Sequence, residues 1–304
     1  MIILTIILFL LGVFLLIQGG NWFVDGAVDI ARKFHMSEFL IGATIVSIGT
    51  TLPEVLVSAQ AAFQGNSGIS YGNAIGSIIC NASLISALLI TIIPSQIEKK
   101  SLFTPTLFFF AFAIFYALTA CLAGGFSRKT GIVLLLCFLL YMVVTIKNSP
   151  KEQPSQNIIK GKIKYPELFL AVGAACIALG AKLVIDNGTV IAQILGVPES
   201  VIGLTIVALG TSLPEMITAI TSIIKKHNSL SIGNVIGANI INLTLVSGAA
   251  ITISPFDIPE NKLINGINAS LIVDIPLMLI VMLLLCLPIL IKGKTYRWQG
   301  IPLY

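Results

Sequence analysis

Seventeen residues, EFLIGATIVSIGTTLPE at 38–54, return 161 positions later as ESVIGLTIVALGTSLPE at 199–215, with eleven positions identical. In the same frame GNAIGSIICNASL at 72–84 aligns with GNVIGANIINLTL at 233–245, seven of thirteen identical, and Asp25 and Pro94 align with Asp186 and Pro255. A shared richness in leucine can align leucines by accident. It cannot place Gly-Thr-x-Leu-Pro-Glu and Gly-Asn-x-Ile-Gly in one frame, so the chain is a duplication and its fold must be built twice.

The duplicated units are apolar. Hydrophobic residues make up 56% of the 304 and charged residues 10%, whereas soluble domains carry about a quarter charged residues. Runs such as Met1–Gln18, Leu102–Leu122 and Ile267–Ile291 are each long enough to cross a hydrocarbon core. Nine spans are predicted, at 3–33, 38–64, 69–93, 102–123, 130–147, 165–195, 199–225, 230–254 and 265–291. The first has no basic leader or cleavage site and runs on through Trp22, so it is read as a span and not as a signal peptide. Cys80, Cys121, Cys137, Cys176 and Cys286 all lie in apolar runs without a CxxC pair, and are expected to be small buried side chains. The net charge of +5 does not point to nucleic acid, because the charges follow topology. Sorted by alternate loops, fourteen Lys and Arg fall on the side of the 148–164 linker and three on the other (Arg128, Lys129, Lys262), with Lys182 inside a span. The excess of positive charge on the inner side of membranes then predicts an outside N-terminus and a cytoplasmic linker in a multi-pass protein of the cell membrane.

Five spans separate the two copies. This odd number makes the second copy enter from the opposite face, the inverted-topology repeat of secondary transporters that work by alternating access. The expected architecture is an all-α membrane protein of two inverted five-helix units. Residues 1–147 form the first, with its motifs at 38–84; 148–164 link the halves; residues 165–304 form the second, with its motifs at 199–245. Phe126–Ile132 resembles Tyr296–Ile301, after which the first half continues into a fifth span. The repeat thus implies ten helices, of which about nine are expected here with the tenth truncated.

Each unit carries one costly group. Glu54 and Glu215 lie deep within spans, where a carboxylate costs about 2.5–3.5 kcal/mol. An ion pair cannot account for both, since Lys182 is the one basic residue away from the loops. Pro53 and Pro214 precede them, lack an amide proton and crowd the carbonyls of Gly49 and Gly210, so the helices are predicted to open there. Freed backbone at membrane depth survives where it lines a cavity or binds something. Thr50 and Thr51 precede Glu54 by four and three residues and share its helix face; Thr211 and Ser212 do the same for Glu215. Asn73, Ser77 and Asn81, spaced by four, form a polar stripe whose counterpart is Asn234, Ala238 and Asn242. Interhelical hydrogen bonding alone is an alternative role for Asn73 and Asn234. Gly72, Gly76, Gly233 and Gly237 are expected to bring helices close. The donors are hard oxygens, suited to Ca²⁺ or Na⁺. His35 and His227 sit at span ends, so zinc and copper are not expected.

At these residues the chain resembles the sodium/calcium exchanger family of the cation/calcium antiporter superfamily, in its compact prokaryotic form, over nearly its whole length. The resemblance implies that Glu54 and Glu215 hold Ca²⁺ together with the carbonyls of Thr50 and Thr211. It implies one sodium site at the Ser47 carbonyl, Thr50, Thr51, Glu54 and Ser77, and a second at the Ala208 carbonyl, Thr211, Ser212 and Glu215, with Asn81 and Asn242 at the central position. It also implies exchange of three Na⁺ for one Ca²⁺, a monomer in the bilayer, no enzymatic activity, and no cofactor besides the transported ions. Two positions depart from the pattern. Ala238 stands where the family usually has serine, which removes a hydroxyl from the second sodium site. Asn242 stands where potassium-dependent relatives carry aspartate, which argues against potassium co-transport. The linker is too short for the calcium-sensing domains of animal exchangers. A proton-driven calcium antiporter is the nearest alternative, since carboxylates also carry protons. A cation channel fits an inverted pair poorly, and an intramembrane hydrolase would need a His or Cys beside the glutamates.

Overall fold

The computed structural model describes residues 2–148, 163–197, 210–258, 263–264 and 267–303. Its helices are α1 Ile2–Lys33, α2 Glu38–Phe63, α3 Ser67–Ile92, α4 Lys99–Ala123, α5 Arg128–Lys147, α6 Pro166–Ile194, α7 Leu213–Ile224, α8 Asn228–Ile253, α9 Ser270–Lys292 and the single turn α10 Gly300–Leu303. Eight of these are long and apolar enough to cross a membrane. They coincide with eight predicted spans to within a few residues. The 199–225 span is represented by the shorter α7, its upstream part lying outside the described residues. Arg32, Lys33, Lys99, Lys147, Lys225 and Lys292 lie at helix ends that the chain's alternation places on one side, the basic face.

Local backbone repeats as the sequence does. α1 ends at His35 (φ 52°) and α6 at Gly196 (φ 76°); α2 ends at Gly65 (φ 74°) and α7 at Lys226 (φ 66°), each pair 161 residues apart. All four are left-handed terminations that tie the freed carbonyls of the last turn. Short bridges repeat too. Strand β1 Gly125–Phe126 pairs antiparallel with β2 Phe256–Asp257, and Gln96 bridges Lys294. The flanking bonds Ile258 N–H to Gly124 O (3.1 Å) and Ile97 N–H to Gly293 O (2.9 Å) are equivalents. Because α4 separates Ile97 from Gly124, the two bridges lie at opposite ends of the helix bundle, as an inverted repeat requires. A small hairpin, β3 Leu263–Ile264 with β4 Ile267–Asn268, precedes α9.

Helices α1 and α6 form a unit of their own. At 32 and 29 residues they run about 48 and 43 Å, longer than the roughly 30 Å hydrocarbon core, so they are long enough to cross it with a tilt or to project beyond it. They lie antiparallel along a glycine seam. A Cβ added at Gly12, Gly19, Gly173 or Gly180 would stand 2.5–2.9 Å from backbone atoms of the facing helix. Backbone-to-backbone packing of this kind holds helices together in lipid, where apolar side chains gain nothing by leaving solvent.

One expectation is met in one repeat, and another needs correction. Gly233 and Gly237 bring α8 against α2 (a Cβ added at Gly237 would stand 2.6 Å from Ala43 O), whereas no described residue lies within 4 Å of a Cβ at Gly72 or Gly76. The positions that the repeat sets opposite those two, 200 and 204, are outside the described residues. Of the five cysteines only Cys286 is buried; Cys80, Cys137 and Cys176 are partly exposed and Cys121 lies open on the outer surface of α4, because an apolar run shows that a helix meets lipid or protein without saying which.

Candidate functional site

The two motif pairs converge where α2, α3, α7 and α8 cross. Glu54 and Glu215 are fully buried, each within the electrostatic field of the other. No ion pair among the described residues involves either one, and Lys182 is exposed. Both Glu54 carboxylate oxygens, Glu215 Oε2, the Ser212 hydroxyl and both side-chain polar atoms of Asn81 and of Asn242 are buried without hydrogen-bond partners. Buried polar groups are nearly always paired. So many orphans, three of them carboxylate oxygens, describe a cluster of polar groups arranged for something other than each other. Among the described residues no three His, Cys, Asp or Glu side chains converge, so its donors are chiefly oxygens of neutral groups around two carboxylates.

Local structure aims these groups. Regular helix gives way to one π-helical turn at Asn81–Ile85 in α3 and at Asn242–Val246 in α8, equivalent positions that each begin with asparagine. A π turn inserts one residue and leaves a backbone group to be satisfied otherwise. In both copies the serine that closes the turn adds its hydroxyl to the carbonyl its own N–H already engages: Ser86 donates to Asn81 O (2.8 Å) and Ser247 to Asn242 O (3.1 Å). With their carbonyls held, the two side-chain amides stay free. A third π turn, Gly42–Val46, precedes Ser47 in α2, and the Tyr141 hydroxyl of α5 caps its Ala43 carbonyl at 2.7 Å.

The prolines behave differently in the two copies. Among the described residues a turn at Thr211 and Ser212 leads into α7, which has Pro214 and Glu215 in its first turn, where a carboxylate also meets the positive end of the helix dipole. In the first copy the helix continues from Ser47 to Phe63 straight through Pro53, so the opening predicted there does not occur. The flanking hydrogen bonds carry the helix past the missing amide, and the loss is confined to the Gly49 carbonyl.

The hydroxyls also serve the other copy. Thr51 donates to Glu215 Oε1 (3.0 Å), and Thr50 faces the same carboxylate with its one hydroxyl proton within reach of two acceptors, Asn234 Oδ1 (3.2 Å) and the Ser47 carbonyl (3.3 Å). Helical spacing puts Thr50 and Thr51 beside Glu54. The antiparallel crossing of α2 and α7 instead turns them onto the carboxylate of the opposite repeat. Ser47 and Ser77 are buried beside this crossing, and Thr211 is half-buried. Ala208 lies outside the described residues. Asn73 is engaged in holding helices together, donating to Glu54 O (3.1 Å) and Ser58 Oγ (2.8 Å). Two further groups escaped the sequence reading. Thr218, one turn beyond Glu215, buries a hydroxyl without a partner, a position that its i+3 spacing would have flagged. The Cys80 thiol lies beside Ser212, within the electrostatic reach of the two carboxylates, for which nothing in its apolar context gives a signal.

An inverted helical repeat closing on two buried acids and a ring of unpaired polar groups has the architecture of a membrane transport protein, with a candidate cation site at mid-bundle. The profile of the family described as sodium/calcium exchanger protein matches residues 4–147 and 167–304. The sodium/calcium exchanger MaX1 of Methanosarcina acetivorans is 30% identical over all of this chain and 96% of its own length. A putative antiporter, CaxA of Alkalimonas amylolytica, is 36% identical over 81% of this chain and 80% of its own. Among solved structures, the sodium-calcium exchanger NCX_Mj soaked with Na⁺ and Sr²⁺ superposes with a TM-score of 0.85 at 36% identity, covering 100% of this chain and 96% of that one. The chain belongs to the sodium/calcium exchanger family.

Proposed function

We propose that this protein exchanges Na⁺ for Ca²⁺ by alternating access around Glu54 and Glu215, three Na⁺ for each Ca²⁺. The observation that carries the reading is the pair of fully buried glutamates with no cationic partner among the described residues, ringed by unpaired oxygens. Two uncompensated carboxylates inside a bilayer are strongly unfavourable, and a divalent cation or several sodium ions are the cargo that would neutralise them. Thr50, Thr51, Ser47 and Ser77 would complete one sodium site, Thr211, Ser212 and the Ala208 carbonyl its counterpart, and Asn81 and Asn242 the centre. Residues 1–147 and 165–304 would act as the two inverted halves, in a monomer of the cell membrane with the basic face in the cytoplasm. Asn242 in place of a carboxylate favours two acids at the site and hence no potassium.

A 3:1 exchange moves one net charge per cycle, worth about 2.3 kcal/mol per 100 mV. Clamping proteoliposomes with a potassium ionophore at different potentials is expected to change the sodium-driven calcium flux severalfold. Flux indifferent to voltage would replace the 3:1 ratio by 2:1, with the hydroxyl absent at Ala238 as its physical cause.

A further inference from the structure

The four ion pairs among the described residues are distributed unevenly. Arg32–Asp29 lies within α1, Lys33–Glu167 joins α1 to α6, and His227–Glu38 (2.7 Å) joins the start of α8 to the start of α2. One pair ties the α1/α6 unit to the remaining helices: Lys225, at the end of α7, reaches Asp25 of α1 at 2.7 Å and also donates to the Asn21 carbonyl at 3.1 Å. A single turn, Lys225-Lys226-His227, thus grips α1 with its first residue and α2 with its third. It does so while holding Lys226 at φ 66°, a conformation its counterpart Gly65 adopts without strain.

The inverted repeat supplies the control. In the 161-residue frame this turn corresponds to Gln64-Gly65-Asn66 on the opposite face, where no residue carries a charge, although Asp25 still has its equivalent in Asp186. Among the described residues the ionic grip on α1/α6 therefore belongs to the basic face. In a protein whose halves are otherwise interchangeable by pseudo-symmetry, a contact present on one face and absent from the other makes the two access states unequal in energy. We infer that the α7–α8 turn is a latch: the Lys225–Asp25 pair holds the α1/α6 unit against the bundle at the basic face and biases the exchanger toward the conformation that contains this contact. The inference rests on the alternating-access reading, because only a moving α1/α6 unit can be latched.

The test compares Lys225→Gln, Asp25→Asn and the charge swap Asp25→Lys/Lys225→Asp with the parent protein in proteoliposomes. The readout is the ratio of half-saturating Ca²⁺ at the basic face to that at the opposite face. The pair is partly exposed, with side chains 23% and 44% accessible, so the shift is expected to be roughly two- to fivefold, the range for such pairs. The signs discriminate. Loss of a latch moves the ratio in the same direction in both single variants, whereas a change of surface potential moves it oppositely, since one variant removes a positive charge and the other a negative one. The swap restores the ratio to within about twofold by the same arithmetic. An unchanged ratio in folded single variants, shifts of opposite sign, or a swap no nearer to the parent than the singles would each overturn the latch. Absence of exchange in the parent protein would instead overturn the functional reading beneath it.

Discussion

Glu54→Gln and Glu215→Gln are each expected to reduce calcium uptake into sodium-loaded vesicles by at least about a hundredfold. Each substitution keeps the shape of the side chain and one of its oxygens but removes a charge. One remaining carboxylate leaves a bound Ca²⁺ half-neutralised in a water-poor site, a loss comparable to breaking a buried ion pair, about 3–5 kcal/mol. The cross-repeat bond sharpens the expectation. Thr51 donates to Glu215, so Thr51→Val should impair the Glu215 side of the site although it resides in the first copy. Near-normal uptake by either glutamine variant would remove the acid pair from the mechanism.

Gly42→Val should cost about 3 kcal/mol of stability and lower the thermal midpoint in detergent by many degrees. A side chain at Gly42 meets the Leu230 carbonyl and the Asn234 amide nitrogen, both backbone, at the point where the first π turn crosses α8. Neither atom can move without displacing Asn234, the residue that accepts from Thr50, so the damage should reach the ion site. Gly188→Ala is the matched control. There the added carbon meets the flexible Phe9 ring at 3.4 Å, and little change is expected. Equal midpoints for the two variants would mean that α2 and α8 are free to separate.

The spans were legible because lipid tolerates no exposed backbone, which forces each crossing into one long apolar helix. The duplication added the opposed orientation of the halves, and the two acids at mid-span marked the candidate site that the structure brings together in burial. What stayed hidden depends on geometry finer than a 3.6-residue period. The π turns at Asn81 and Asn242 change which way a side chain points without changing composition. Pro53 and Pro214 share one motif, yet the first lies inside a continuous helix while the second lies in the first turn of α7, a difference the motif itself does not contain. Thr51 meets Glu215 and not Glu54 because two antiparallel helices cross there, a relation between distant segments that spacing within one helix cannot contain. Asp25 was visible as one of an aligned pair, but its partner Lys225 is 200 residues away.

The central claim is that the two acids form a site shared in turn by sodium and calcium. Its most direct test uses the purified full chain in sodium-loaded proteoliposomes diluted into sodium-free buffer containing radioactive Ca²⁺. The account predicts calcium accumulation that disappears when internal sodium is replaced by potassium and that persists when the proton gradient is collapsed. Accumulation driven by a pH gradient in the absence of sodium would contradict it.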